Sequence, residues 1–332
     1  MDQELNNKIL YLPEPDKKFG GLKIISSIAF LILASCALSV YVLHASGSEA
    51  KITEAVTEQK KIDNPFDHLA IEAKGVYVWD TTTQKALYSK DSDSAYPLAS
   101  VTKLMTALTA RTLIPDYTVI KINRDFLLAD GDSGLRTDES WKLKDLLDLS
   151  LTSSSNDGAL AISSVAGSIY GQTDSLEIGR NDFIAEMNRI SRQIGLVNSH
   201  FENETGLDIS SSTSGAYGSA HDIARLLEYE IKKYPDLLEA TRYSTLTVTS
   251  LDHIVHIVLN TNPKILDIPG ILASKTGYTD LAGGNVAVAF TAGLNHPIIV
   301  VLLGSTYDGR FTDLTALVNA ASAYVSLQNS TK

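Results

Sequence analysis

The sequence predicts an α/β fold of the α+β kind, preceded by one N-terminal transmembrane helix. Three observations predict it: an uncharged run of 20 residues from Ile24 to Leu43, strand-like segments at both ends of the chain beyond it, and helix-spaced apolar residues between them. With 332 residues, 44% hydrophobic and 20% charged, the chain is long enough for one large domain or two small ones. That composition excludes a disordered or fibrous protein.

The apolar run has about the length a helix needs to cross a bilayer core of roughly 30 Å. Lys8, Lys17, Lys18 and Lys23 precede it, and the first basic residue after it is Lys51. This bias places the N-terminus in the cytoplasm and the rest of the chain outside the cell membrane. The expected organisation is a cytoplasmic segment (1–23), a single-pass signal-anchor helix (24–44), a polar linker (45–68) and a globular domain (69–332). Two rival readings attach to the same run. A cleaved signal peptide would need a shorter apolar core and a small-residue cleavage site, which HASGSEA does not supply. Leu33-Ala34-Ser35-Cys36 resembles a lipoprotein cleavage box, which would put a lipid on Cys36.

Beyond the linker, Gly75 to Asp80 and Ala86 to Ser89 read as strand, turn, strand. Ser100 to Leu113 carries apolar residues at 101, 104, 105 and 108, the spacing of a buried helix face. Further helices are expected at 142–151, 158–165, 181–194 and 220–232. Val, Ile and Thr dominate 245–259, 285–292 and 296–303, which read as strands, before a closing helix near 312–325. Strands at both ends with helices between imply one sheet built from distant parts of the chain.

The 28 basic and 39 acidic side chains leave a net charge of -11, of which -9 falls beyond residue 68. Such a balance repels phosphate backbones, so no nucleic acid partner is expected. Cys36, the only cysteine, can form no internal disulfide and sits in no metal-ligand spacing. His253 and His256, three apart on an expected strand, would point to opposite faces and so read as structural. No metal or organic cofactor is expected.

Ser100-Val101-Thr102-Lys103 places a hydroxyl and an amine three residues apart on a helix, where both emerge on one face and can hydrogen-bond. Ser48-Glu49-Ala50-Lys51 repeats the spacing in the linker, so spacing alone is weak. Ser100 is distinguished by the ordered company of Ser154-Ser155-Asn156 and Lys275-Thr276-Gly277, the trio of penicillin-binding proteins and class A β-lactamases. PLASVTKLMTAL, LTSSSNDGALAI and ASKTGYTDLAGG, with FENETGLD and GSAHDIARLL between them, closely resemble the low-molecular-mass serine D-alanyl-D-alanine carboxypeptidases, from about residue 69 to 325.

The resemblance implies a β-lactamase/transpeptidase-like domain: an antiparallel sheet flanked by helices, an all-helical lobe, and the active site between them. Ser100 would attack the peptide bond between the last two D-alanines of a peptidoglycan stem peptide, and β-lactam antibiotics would acylate it too. Lys103 must be neutral to take the Ser100 proton, so its pKa must fall far below about 10.4, through burial and a second nearby cation, for which Lys275 is the natural choice. On a strand edge, Lys275 with the Thr276 hydroxyl would face the substrate's free carboxylate, while Gly277 would leave room for substrate backbone. Ser154 would relay a proton to the leaving amine, and Asn156 would hold the acyl group and Lys103. By family analogy the backbone N–H groups of Ser100 and Tyr278 would hold the oxyanion.

His221 stands where relatives often carry arginine. It reads either as a weaker, pH-dependent carboxylate contact or as a surface histidine at a helix start. A β-lactamase would need a general-base glutamate in a Glu-x-x-Leu-Asn arrangement, and Asp2, His256 and Thr291 occupy the three candidate positions. The same fold would also serve a D,D-endopeptidase, or a non-catalytic sensor of β-lactams or peptidoglycan.

Overall fold

The computed structural model describes residues 64–128, 130–131 and 134–330. The expected membrane helix, the linker up to residue 63 and Cys36 lie outside the described residues, among which no helix is long and apolar enough to cross a membrane.

Strand β1 (Gly75–Asp80) turns through Thr81–Gln84 into β2 (Lys85–Lys90), and the two-residue β3 (Tyr96–Pro97) leads to a 3-10 turn at Ala99–Thr102 and helix α1 (Lys103–Leu113). Then follow the small ribbon of β4 (Val119–Lys121) and β5 (Ser140–Lys142), and helices α2 (Leu143–Ser153), α3 (Asn156–Gly171) and α4 (Leu176–Gln193). The short β6 (His200–Phe201) and β7 (Ala216–Gly218) precede α5 (Ala220–Lys233) and the hairpin β8 (Thr245–Thr249) and β9 (Val255–Leu259). Strands β10 (Ile271–Thr279), β11 (Gly283–Thr291) and β12 (Pro297–Ser305) and helix α6 (Gly309–Ser330) end the described chain.

The main sheet has the order β10-β11-β12-β1-β2 and is antiparallel throughout, so the first hairpin joins the last three strands as the sequence implied. Both faces of its centre are buried. Ile298, Val300 and Leu302 of β12 pack with α6 residues Leu314, Leu317 and Ala321, while Ile299, Val301 and Leu303 join the core shared with α1–α5. This double burial is why 298–303 reads as an unbroken apolar run rather than an alternation. Ser155, Ser175 and Ser219 cap the N-termini of α3, α4 and α5, each accepting a backbone N–H.

Two expectations are corrected. Residues 245–259 form two strands, because Ser250–Ile254 turns the chain with His253 at φ +63°. That turn holds no glycine or proline, and Ser250 and Asp252 are its only, weaker, turn signals. Helix α1 begins at Lys103, and Ser100 sits on the 3-10 turn before it. Strand β10 has no alternating apolar pattern, since Ala273, Ser274, Lys275, Thr276 and Gly277 are all buried, and so it escapes a periodicity search.

Candidate active site

The reacting group is positioned by strain and close approach. Ala99, just before Ser100, lies at φ +47°, a left-handed conformation that a residue with a Cβ rarely adopts. Gly206 lies against it so closely that any Cβ there would collide with the Ala99 carbonyl and the Thr102 hydroxyl. On the other side, a Cβ on Gly277 would fall 2.9 Å from the Ser100 nitrogen and 3.0 Å from the Leu98 oxygen. Gly277 thus makes room for the nucleophile turn itself, which crosses over this glycine. Buried Asn285 fixes the crossing, its Nδ2 donating to the Pro97 oxygen at 2.9 Å and its Oδ1 accepting from the Gly304 nitrogen at 2.8 Å.

Lys103 is 2% exposed. Its Nζ donates to Ser100 Oγ at 3.0 Å, to Asn156 Oδ1 at 2.6 Å and to the Thr205 carbonyl at 3.0 Å. Burial lowers its pKa to about 7, with the Glu204 carboxylate opposing the fall. Asn156 opens α3 and donates its Nδ2 to the Asp130 carbonyl at 2.6 Å, so its amide is gripped at both ends. Ser154, at φ +64°, ends α2 in a second left-handed kink that swings its hydroxyl away from the helix and toward β10.

There Lys275 Nζ donates to Ser154 Oγ and to the Thr276 carbonyl, both at 2.8 Å, and Thr276 Oγ1 donates to Thr261 Oγ1 at 2.7 Å. Lys275 is 1% exposed, and its pKa is held well below the ordinary lysine value by burial first, then by the nearby Lys103 and Arg310. Burial lowers Lys103, and the closeness of the two amines disfavours charging both at once. Exposed Tyr278 follows Gly277 and packs edge-on against Tyr307, with ring centroids 5.1 Å apart.

The structure joins the three motifs into two linked clusters, Ser100–Lys103–Asn156 and Ser154–Lys275–Thr276, bridged by the chain from Ser154 to Asn156. It also adds residues that no motif marked. Arg310 of α6 is buried, donates Nη1 to the Gly277 carbonyl at 2.6 Å, and leaves its Nε without a partner among the described residues. Only the tertiary fold, which packs α6 on β12 and β11 and lets its first turn reach the Gly277 carbonyl of β10, brings it here. Glu204, which no Glu-x-x-Leu-Asn search would find, reaches the base through its neighbour Thr205, but its Oε2 is turned to Arg180 Nε at 2.9 Å. His221 pairs its Nδ1 with Asp93, donates its backbone N–H to Ser92 and packs on Tyr77, all away from the three motifs, so of its two readings the surface one stands. His256 is buried against Glu139, its Nε2 2.6 Å from Oε1, as a structural histidine. Among the described residues no cluster could hold a metal ion.

A mixed α/β fold with a hydroxyl bonded to a buried lysine at the crossing of a helical lobe and an antiparallel sheet defines the class of penicillin-binding, transpeptidase-like proteins. The crystal structure of the Streptomyces K15 DD-transpeptidase shares this fold, with a TM-score of 0.69 and 23% identity over 77% of this chain and 98% of that one. Residues 58–306 match the Peptidase_S11 family, D-alanyl-D-alanine carboxypeptidase, and the chain belongs to that family. Among its relatives, D-alanyl-D-alanine carboxypeptidase DacF of Bacillus subtilis is 29% identical over 76% of this chain, and the match spans 63% of the relative's own length. The D-alanyl-D-alanine endopeptidase of Escherichia coli is 29% identical over 84% of this chain and 83% of its own.

Proposed function

We propose that the chain is a serine-type D-alanyl-D-alanine carboxypeptidase that removes the terminal D-alanine from peptidoglycan stem peptides through a Ser100 acyl-enzyme, and that β-lactams acylate the same serine. The observation that carries this reading is the 3.0 Å hydrogen bond between Ser100 Oγ and a buried lysine whose pKa is lowered to about 7. A hydroxyl is a poor nucleophile at neutral pH, and a neutral amine within hydrogen-bond reach removes that obstacle.

In this mechanism Lys103 takes the Ser100 proton as Oγ attacks the carbonyl carbon of the penultimate D-alanine. The backbone N–H groups of Ser100 and Tyr278 receive the developing oxyanion; the close packing of Gly277 on the Ser100 nitrogen supports that pairing. Ser154, hydrogen-bonded to Lys275, returns a proton to the departing D-alanine nitrogen. Asn156 holds the acyl group and fixes Lys103. Lys275, Thr276 and Arg310 receive the terminal carboxylate, and the unpartnered Arg310 Nε supports a charge arriving there. Water then attacks the ester carbonyl, and the acid leaves with Ser100 restored.

The same reading makes residues 24–44 a single-pass anchor in the cell membrane with the catalytic domain outside the cytoplasm. The 20-residue uncharged run and the lysines before it support this. The mass of the full-length chain, followed over time with a penicillin and compared with Ser100→Ala, tests the reaction. A persistent adduct confined to the native serine is expected. A transient adduct with the drug consumed would instead make the protein a β-lactamase, and no adduct would leave a binding module. The endopeptidase names among the relatives favour a second reading, and amidating the substrate C-terminus separates the two. A carboxypeptidase relying on Lys275 and Arg310 loses most of its kcat/KM on the amide, whereas an endopeptidase does not.

A further inference from the structure

The hairpin of β8 and β9 carries a surface that the catalytic site does not use. Val248 and Val258 point inward to the core shared with α2. Val255, Ile257 and Leu259 stand 59%, 74% and 68% exposed on the outer face, opposite exposed Thr249, Thr247 and Thr245 of β8. Contiguous apolar surface of this kind marks an interaction site.

The same three residues form an open edge. The Ser250 nitrogen donates to the Ile254 carbonyl at 3.0 Å and the Asn260 nitrogen to the Ser244 carbonyl at 2.9 Å. By the alternation of an antiparallel pair, His256 and Val258 therefore bond to β8, while Val255, Ile257 and Leu259 turn their N–H and C=O groups to the other side. Among the described residues no strand pairs there. Natural edges are protected by lysine, proline or a bulge. Residues 245–259 hold no lysine, arginine, glutamate or proline, and the register runs unbroken from Thr245 opposite Leu259 to Thr249 opposite Val255. The one acid, Asp252, sits in the turn and accepts from the Ser140 nitrogen at 2.6 Å.

Two features identify the occupant. The chain beyond residue 68 carries a net charge of -9, so two copies repel over most of their surface and can meet only where charge is absent, as it is on β9. Read antiparallel about Ile257, the strand is also its own complement: Val255 meets Leu259 of a second copy, and Ile257 meets itself. We propose that two copies of this chain pair edge to edge through β9 about a two-fold axis at Ile257, joining their hairpins into one four-stranded antiparallel sheet. Residue pairs of this kind exchange two backbone bonds each, about six in all, which corresponds to an interface of roughly 1,000 Å². That is the lower limit for a specific contact, so the dimer is weak, with a Kd on the order of 10 µM. The seam ends beside the active site, because Leu259 leads into Thr261, whose Oγ1 accepts from Thr276.

The test uses the full-length chain in detergent with Cys36→Ser, so that each introduced cysteine is the only one. Under a mild oxidant Ile257→Cys should form a disulfide-linked dimer, whereas Thr247→Cys, on the same face but one strand further from the axis, should not. Val255→Cys mixed with Leu259→Cys should crosslink far more than either alone, as antiparallel pairing in this register requires. In sedimentation the chain with its native hairpin should dimerise as concentration rises. Ile257→Lys, which sets two like charges opposite each other, should weaken that association at least about tenfold while Ser100 acylation by penicillin keeps its native rate. A native hairpin still monomeric at about 100 µM, tenfold above the expected Kd, overturns the pairing and leaves the edge to a different partner. Crosslinking at Thr247 as strong as at Ile257, or association that survives Ile257→Lys, overturns it as well.

Discussion

Replacing Glu204 by glutamine should make the proposed base work at lower pH. Burial brings Lys103 to about 7 while Glu204 pulls the other way, so removing the carboxylate lets the pKa fall further. A carboxylate whose field reaches the amine through protein at an effective dielectric near 20 contributes on the order of 2 kcal/mol. Arg180, bonded to the same carboxylate, cancels part of that, leaving about 1.4 kcal/mol, or one pH unit. Glutamine keeps a carbonyl oxygen for Arg180 Nε, so the packing of α4 on this turn survives. The assay is the rate of Ser100 acylation by a fluorescent penicillin from pH 5 to 9. The native rate depends on neutral Lys103, so it should rise with pH, reach half its plateau near pH 7 and lie about tenfold below the plateau at pH 6. In Glu204→Gln the half-plateau point should move to about pH 6. A native profile flat across the range would refute the lysine base, and a limb that stays fixed or moves upward in the variant would refute the electrostatic argument.

Three further outcomes follow from the geometry. Gly277→Ala puts a methyl 2.9 Å from the Ser100 nitrogen, and a displacement of even about 1 Å at the nucleophile should slow acylation about a hundredfold; a rate within threefold of native would contradict the close-packing account. Glu230 is fully buried with neither carboxyl oxygen bonded among the described residues, and burial raises its pKa well above 4.5, so the fold accommodates its protonated form and loses stability as pH climbs beyond the unfolded value. Glu230→Met should therefore gain about 1–3 kcal/mol at pH 8 and much less at pH 5, read as a pH-dependent rise in Tm, and an equal rise at both pH values would sink the idea. Because Lys275 is held far below its ordinary pKa, an arriving carboxylate should draw a proton onto it; binding of penicillin to Ser100→Ala should then show an enthalpy that varies with the ionisation enthalpy of the buffer, and a buffer-independent enthalpy would count against that role.

How much of this was legible in the chain depends on what each feature is made of. Serine, lysine and asparagine at fixed spacings carry their chemistry in their identity, so Ser100, Lys103, Ser154, Asn156 and Lys275 stand out before any fold is known. Helix α5 shows itself through one buried face, whereas α1, buried all round from Lys103 to Ala110, shows itself through its helix-spaced large apolar residues. The turn at Ser250–Ile254 and strand β10 do not, because one is marked only by Ser250 and Asp252, without glycine or proline, and the other is buried on both faces. Arg310 and Glu204 are invisible for another reason. Each acts through contacts that arise only when distant segments meet, Arg310 lying 33 residues beyond the carbonyl it bonds and Glu204 about a hundred beyond Thr106, whose hydroxyl holds its backbone.

Those two residues explain how two lysines in one buried site can be given different work. Both ammonium groups bond to hydroxyls and carbonyls rather than to a carboxylate, and mutual repulsion in a low-dielectric pocket disfavours charging both at once. Glu204 lies on the Lys103 side and Arg310 on the Lys275 side, so the field across the site is asymmetric: it holds Lys103 up near neutral pH and drives Lys275 lower. The proposed base is thereby left close to the pKa at which it can both accept and return a proton. Burial, Lys103 and Arg310 disfavour the charged form of the proposed anchor, and an arriving carboxylate favours it, while Arg310 supplies the standing positive charge that draws the carboxylate in. A substrate lacking that carboxylate would leave the pKa of Lys275 depressed, with Ser154 still bonded to it. On this account discrimination for a free chain end is exercised through protonation of Lys275 as well as by contact, which is why amidation of the substrate should lower turnover more than binding.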